Sequence, residues 1–519
     1  MKLIGVEEAV LRVPDEATVI VGGSGAGHAV PQLFIDTLAA VFQARGRPRD
    51  LTTVRVVGIG DFGERGFSQL ALPGLMRRTI GSNIGNEPGL GRLVAAGDLE
   101  AYSFPQGVLS QLCREIAAGR PGLLTASGLD TYVDPRHGGG KQGAATEDLV
   151  DVVELAGQEW LFFRSFPIDV AVIRGSAIDE DGNLSMEDEA IDGEMLAMAM
   201  AAHNSGGTVI AQARRIVARG SLAPRRVKVP GALIDLAYLD SQQTQTYLTD
   251  CSPFYAGQLR APPGSLGAVP HDLRTAIARR SLLEFRPGDI CNLGFGISQS
   301  IGAIAAEEGI ADRLVLTVEQ GMFGGIPAGG QDGGAGVNQQ AIIDQPSMFD
   351  FYDGGGLDIA SLSFAEVDSE GNVNVHAFEG RLRGPGGFPN ISARTRRLCF
   401  VGTFTAGGFK ADVSSGRLVI ETEGSTPKFV HRVREVSFSA RMAHLRDQQV
   451  RYITERAVFA LEEDGLTLLE VADGIDVERD VIAHMGFRPR IADPLGRIDR
   501  RVFGAATMGL AKEFDEAPR

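Results

Sequence analysis

Short β-branched runs that end in glycine clusters set the tightest limit on how this chain can fold. Thr18–Val21 runs into Gly22-Gly23-Ser24-Gly25-Ala26-Gly27, and Pro31–Gln43 then places Leu33, Phe34, Leu38 and Phe42 at helical spacing. Leu51–Val57, Asp169–Ile173 and Gly207–Ala213 read as further strands. Glu189–Ala202 reads as a helix whose Met195, Met198 and Met200 fill core space. Strand, glycine loop, helix, strand is the order of an α/β domain with a largely parallel sheet. Glycine supplies 67 of 519 residues, in clusters after apolar runs and not in a low-complexity tract. Glycine is favoured where backbone turns sharply or comes close to a ligand.

The second half repeats the first. The acidic turn Ala177-Ile178-Asp179-Glu180-Asp181-Gly182-Asn183 has a parallel in Glu366-Val367-Asp368-Ser369-Glu370-Gly371-Asn372. Gly23-Ser24-Gly25-Ala26 is echoed by Gly294-Phe295-Gly296-Ile297, and Leu51–Gly58 by Arg313–Gly321. Recurrence of these features in both halves implies two related open α/β domains in tandem. The expected organisation is a first domain over 1–260, a linker over 261–270 around Ala261-Pro262-Pro263-Gly264, and a second domain over 271–431. Beyond Arg432 glycine thins and charged, helix-like patterns such as Phe438–Leu461 take over. A helical extension packed on the second domain is expected over 432–519.

The formal net charge of -16 argues against general binding to nucleic acid or anionic membranes. Cys113, Cys251, Cys291 and Cys399 form no CxxC pair, so neither a disulfide framework nor a zinc site is expected. MKLIGVEEAV places acidic residues where a signal peptide needs an apolar run, and no apolar stretch reaches bilayer length. A soluble, cytoplasmic protein is the expectation.

Ligands of open parallel sheets bind beyond the carboxyl ends of the strands. There, Leu314-Val315-Leu316-Thr317-Val318 ends in Glu319, with Gly321 two residues later and Gly324-Gly325-Ile326-Pro327 beyond. A carboxylate among glycines has little local polar support, is partly desolvated, and is then a competent nucleophile towards a thioester. Spacing alone leaves Glu319 equally able to cap a helix or pair with an arginine.

Val318-Glu319-Gln320-Gly321 resembles the Glu-x-Gly motif of the family I CoA-transferases. The resemblance spreads through Ala305–Ile310, Asp344-Gln345-Pro346, Phe349–Asp358, Gly371–Val375, Gly386-Gly387-Phe388 and Gly402–Gly408. In the first half it includes Phe104-Pro105-Gln106-Gly107, Thr131–Arg136 and Asn204–Gly207. The fused, single-chain acetate or propionate type is the most similar subgroup. It implies that CoA moves from an acyl-CoA to a free acid through an acyl-glutamyl anhydride and a glutamyl-CoA thioester on Glu319. No cofactor beyond CoA itself and no metal is implied; a homo-oligomer, dimer or tetramer, is.

Backbone N–H groups in glycine loops suit the oxyanions of such steps. The candidates for oxyanion or CoA contact are Gly25, Gly27, Gly296, Gly407 and Gly408, with Gly354, Gly355 and Gly356 beside the pantetheine arm. Gln106 is placed at the acyl group, and Arg383, Lys410 and Lys141 at the phosphates. Where the family often carries Gly-His-Trp-Gly, this chain has Gly81-Ser82-Asn83-Ile84-Gly85. Ser82, Asn83 and Ile84 therefore line an acyl pocket of altered shape, which puts the short-chain preference in question. His28 is read as a core or solvated histidine.

An acyl-CoA hydrolase using the same Glu319 is the alternative; dependence on an acceptor acid separates the two. A nicotinamide-dependent oxidoreductase fits less well, because Gly22–Gly27 lacks G-x-G-x-x-G spacing from Gly23. An inactive CoA-binding scaffold is a further alternative, opposed by the retained Glu319-Gln320-Gly321.

Overall fold

Strands covered on both faces are apolar throughout, and such runs pair in parallel. Val170–Asp179, buried along its whole length, lies within the first sheet. It pairs in parallel with Thr208–Val217 on one side and Thr18–Val21 on the other. The sheet continues in parallel through Leu51–Val54, Met76–Gly81 and Glu100–Ser103. The computed structural model describes residues 1–262, 269–378 and 381–516. Most of the expected linker over 261–270 lies outside the described residues.

The second sheet orders its parallel strands Val315–Val318, Ile290–Leu293, Ile359–Ser363, Arg397–Val401 and Gln449–Ile453. The halves share a plan. Thr18–Val21 lies between Leu51–Val54 and Val170–Asp179, as Ile290–Leu293 lies between Val315–Val318 and Ile359–Ser363. The acidic turn is built twice with the same bonds. Asp179 Oδ1 accepts from the amides of Asp181 and Asn183 at 3.0 and 2.9 Å, and Oδ2 from Asn183 Nδ2 at 3.0 Å. Asp368 Oδ1 accepts from the amides of Glu370 and Asn372 at 3.1 and 2.9 Å, and Oδ2 from Asn372 Nδ2 at 3.2 Å. Gly182 and Gly371, at φ 91° and 95°, take the left-handed position that closes each turn.

The tail differs from the helical extension expected over 432–519. Only Ala440–Leu445 of the Phe438–Leu461 stretch is helical. Gln449–Ile453 pairs in parallel with Arg397–Val401, and Ala457–Glu462 and Gly465–Val471 follow as antiparallel strands of the same sheet. Asp464-Gly465 is a hairpin turn signal, and its flanking runs are too short for stable helices. Unpaired strand edge on Arg397–Val401 supplies what local propensity does not.

The halves meet along helix Gln106–Ala117, which packs on Gln345–Asp353 and Phe388–Arg394. The Gly107 amide donates to Asn390 Oδ1 at 3.0 Å, and a Cβ at Gly107 would come within 2.5 Å of Phe349 and Asn390. Gln111 Nε2 donates to Asp350 and Asp353 at 3.0 and 3.1 Å.

A buried ion pair fixes the first-half loops nearest the second half. Arg55 and Glu87 are both fully buried, with Arg55 Nε donating to Glu87 Oε1 at 2.6 Å. Arg55 Nη1 donates to Thr79 Oγ1 at 2.7 Å and Nη2 to the Asn83 carbonyl at 3.3 Å. The Ile59 amide donates to Glu87 Oε1 at 2.5 Å. Deleting one partner strands the other charge in the core. Glu87→Ala should therefore destabilise the first half by about 3–5 kcal/mol. Asp151→Ala, which breaks an exposed pair with Arg164, should cost under about 1 kcal/mol. Denaturant unfolding of the two variants checks the contrast.

Candidate active site

Parallel pairing brings the strand ends of each half to one edge, and the two edges face each other. Glu319 follows Val315–Val318 directly. It keeps part of its surface exposed. Burial of the rest pushes its carboxyl pKa above the ordinary value, while hydrogen bonds from its own backbone, Asn292 and Gln320 pull it back. No cation pairs with Glu319 among the described residues. The helix-cap and ion-pair alternatives left open by spacing are therefore not what the structure shows.

Gln320 ties the carboxylate to the first half. Its Nε2 lies 3.5 Å from Glu319 Oε1 and 3.3 Å from Ser24 Oγ. His28, fully buried, sits behind this contact. Burial lowers its pKa to about 4, so the ring is neutral. Its Nε2 donates to the Gly333 carbonyl at 3.1 Å.

Asn292 comes from the neighbouring strand. Its Nδ2 donates to the Tyr352 hydroxyl at 3.2 Å. That hydroxyl lies 2.7 Å from Thr317 Oγ1, which donates to the Cys291 carbonyl at 2.8 Å. Thr317 has one hydroxyl proton and spends it there, so Tyr352 is the donor to Thr317. The chain Asn292–Tyr352–Thr317 locks the strand end from which Glu319 emerges.

The acyl-pocket candidates converge across the interface between the halves. The Gly386 amide donates to the Ser82 carbonyl at 3.1 Å, the Ile84 amide to the Arg383 carbonyl at 2.8 Å, and the Gln106 amide to the Gly386 carbonyl at 3.0 Å. Ser82 Oγ, Asn83 Oδ1, Gln106 Nε2 and Arg383 Nε are buried there without a protein partner, as are Asn292 Oδ1 and Gln320 Oε1 nearer Glu319. Unpaired polar atoms in this number are costly unless water or a ligand completes them. Ile84 is apolar wall, buried beside Leu382.

The glycine candidates divide. Gly294–Gly296 sit one strand from Glu319 on the same edge, with Gly296 at φ 99°. Gly25, at φ 52°, faces open space, whereas a Cβ on Gly27 would come within 2.6 Å of Tyr247, so Gly27 serves packing. Gly407 and Gly408 follow the strand Arg397–Val401 through the separate hairpin pair Thr405–Ala406; a Cβ on Gly407 would lie 2.5 Å from Ser425 Oγ, whereas Gly408 faces open space. Gly354, Gly355 and Gly356 are a correction. They end helix Gln345–Asp353 and lead into the start of Ile359–Ser363, the edge opposite Glu319. A Cβ on Gly356 would strike the Phe351 ring at 2.2 Å. A run of glycines that stops a helix reads in sequence like one that admits a ligand.

Among the cations, Lys141 pairs with Asp148 at 2.5 Å and is committed there. Lys410 is exposed on hairpin strand Lys410–Asp412, beyond Gly408. A cation the sequence did not single out is Lys428. It is buried 4.0 Å over the Phe364 ring, beside Gly402, and burial pulls its pKa down to about 8. Its neighbours end strands Ile359–Ser363 and Arg397–Val401, on the Glu319 edge. Asn292 was also missed; the signal was an amide inside the buried run Ile290-Cys291-Asn292-Leu293. A cavity of about 960 Å³ lies elsewhere, between Arg114–Arg120, Gly193–Met200 and Ile343–Ser347, and Glu319 does not line it.

Comparison with known proteins identifies the family. The family model described as Coenzyme A transferase matches residues 4–237. Acetate CoA-transferase YdiF of Escherichia coli (strain K12) is 42% identical over 510 residues, 98% of this chain and 96% of that protein. Caffeate CoA-transferase of Acetobacterium woodii is 40% identical over 519 residues, 98% of each chain. A crystal structure of the acyl-CoA transferase YdiF from E. coli O157:H7, a thioester complex with CoA, superposes with a TM-score of 0.93 at 41% identity, covering 98% of this chain and 97% of that one. With identity of this order over nearly its whole length, the chain belongs to the CoA-transferase family.

Proposed function

We propose that the protein transfers CoA from an acyl-CoA to a free carboxylic acid, with Glu319 as covalent nucleophile and short-chain acids such as acetate or propionate among its substrates. The observation that carries this is a desolvated carboxylate without a cation, at the strand edge where the two halves meet. A carboxylate Glu319 oxygen attacks the thioester carbonyl carbon, the C–S bond breaks, and CoA leaves as thiolate. The thiolate then attacks the Glu319 Cδ of the anhydride. The C–O bond breaks, the donor acid departs as carboxylate, and a glutamyl-CoA thioester remains. An acceptor carboxylate runs the two steps in reverse. The thioester bond energy is conserved throughout.

Asn292 Nδ2, already hydrogen-bonded to Glu319, is the donor best placed for an oxyanion on that carboxyl, whereas the Gly294 amide is taken by the Ser361 carbonyl at 2.8 Å and the Gly296 amide faces Gln299 Oε1 at 3.4 Å. The unpaired Gln106 Nε2 and Arg383 Nε suit a carboxylate in the acyl pocket. Lys428 and Lys410, further along the same edge, suit the CoA body. CoA transfer should require an added acid acceptor, and Glu319→Gln should lower it by a factor on the order of 10⁴. Release of free CoA at the same rate with and without acceptor would instead mean hydrolysis.

The raised Glu319 pKa fixes the direction of the pH response. Only the ionised form attacks, so kcat/KM should fall as pH drops through a value above that of an ordinary glutamate. Asn292→Leu removes a hydrogen bond that favours the carboxylate, so its acid limb should lie at higher pH still. A pH–rate profile of both proteins reads this; coincident limbs would contradict it.

A further inference from the structure

A second buried carboxyl lies in the cavity that Glu319 does not line. Glu194 is 2% exposed, and its Oε2 is buried with no hydrogen-bond partner. The residue directly precedes helix Met195–Asn204, where a short polar side chain would cap the first amides, yet it makes no capping hydrogen bond. No cation pairs with it among the described residues. A buried polar atom left unpaired is costly, and in a folded protein it calls for a reason.

The surroundings of Glu194 are short of positive charge. The acids Glu115, Asp192, Glu194 and Asp344 line the cavity, with the cations Arg114, Arg120 and Lys228. Each cation is committed elsewhere. Arg120 pairs with Glu115 at 2.9 Å, and Lys228 pairs with Asp192. Arg114 pairs at 2.5 Å with Asp350, which does not line the cavity. Asp344 accepts from the Ser347 amide at 2.8 Å and faces Glu194 as a like charge. Burial first, and Asp344 second, push the Glu194 carboxyl up to about 8, so the neutral acid is the form present at pH 7. Helix Gln106–Ala117 packs on helix Met195–Asn204 and brings Cys113 near, whose thiol is held neutral by its own burial and by Glu194.

Most of the remaining wall is apolar. Met186, Met195, Leu196 and Met200 come from the first half, and Ile343 and Pro346 from the second. The Gln345 amide donates to the Gly193 carbonyl at 3.0 Å and ties the two sides together. Methionine side chains adjust their shape around an aliphatic chain. A volume of about 960 Å³ is that of a small-molecule site. No group of three or more His, Cys, Asp or Glu side chains among the described residues is placed to hold a metal ion. The missing charge therefore suits an organic cation whose body fills the apolar space.

We infer that this cavity is a second ligand site, which takes a primary alkylammonium with its N–H donors on the Glu194 carboxylate and its chain along the methionine wall. An ammonium brings three donors and a full positive charge, where a neutral ligand brings no charge. As it enters, the Glu194 O–H bond breaks, the proton leaves to solvent, and the carboxylate keeps the electron pair and the ammonium as partner. An anion would instead meet Glu194 and Asp344 with every lining cation already paired. The net charge of -16 raises the local concentration of cations further. The site does not depend on the mechanism at Glu319.

Titration calorimetry of the full-length protein with hexylammonium at pH 7, in two buffers of different ionisation enthalpy, reads affinity and proton release together. Wild type should bind with a Kd on the order of 1 mM or tighter, as a ligand of this size allows. It should release close to one proton per ligand, a readout that needs no variant. Glu194→Gln should weaken binding by about tenfold or more and abolish the release. Its melting temperature at pH 7 should match or exceed that of the wild type, because glutamine has no charge to suppress on burial; this separates loss of the ligand from loss of the fold. Glu319→Ala should bind hexylammonium as the wild type does. Loss of binding there would put the ammonium at the other unpaired carboxylate and overturn the proposal. Hexanol or hexanoate bound as tightly as hexylammonium, binding without proton release, or no binding of hexylammonium at all would overturn it too.

Discussion

The contact between Gln320 and Ser24 is where the two halves become one site. A carboxylate at the end of Val315–Val318 alone would face water, with an ordinary pKa and little reactivity towards a thioester. Once the Ser24 loop closes over it, water is reduced and the carboxylate is left with a few neutral donors. Most of the other features serve that closure. Helix Gln106–Ala117 is clamped on the second half through Asn390, Asp350 and Asp353. His28 and Gly333 hold the flank.

Duplication explains how one chain supplies two matched edges. Each half carries a glycine loop after one strand, a neighbour strand beside it, and the same aspartate-centred turn after a third. The halves then diverge in what they place at the edge. The first supplies the loop shaped by Arg55 and Glu87, a buried pair that aligns backbone and does no chemistry. The second supplies an acid without a cation. Paired charge gives position in one half; in the proposed mechanism, unpaired charge gives reactivity in the other.

The α/β grammar was legible because period and glycine placement are local. The position of Glu319, an acid at a strand end beside Gly321, was legible too. Ser82–Ile84 and Gln106, expected at the acyl group, are gathered by the fold, and Arg383, expected at the phosphates, lies among them. What failed depended on context beyond the local chain. Gly354–Gly356 look like a ligand loop until the helix they terminate is seen to run to the far edge. Gln449–Ile453 becomes a strand because Arg397–Val401 offers it an edge. Lys428 stands far along the chain from Phe364 and Gly402, so only the fold shows that it is a buried cation at the same edge.

The proposed mechanism requires a covalent bond at Glu319. Intact-mass measurement of the wild-type protein and Glu319→Ala after incubation with acetyl-CoA reads that bond directly. A glutamyl-CoA thioester at Glu319 should give a mass gain equal to CoA less one water in the wild type, reversed by added acetate and absent from the variant. An adduct of that mass on both proteins, or turnover by the wild type that never passes through one, would contradict it.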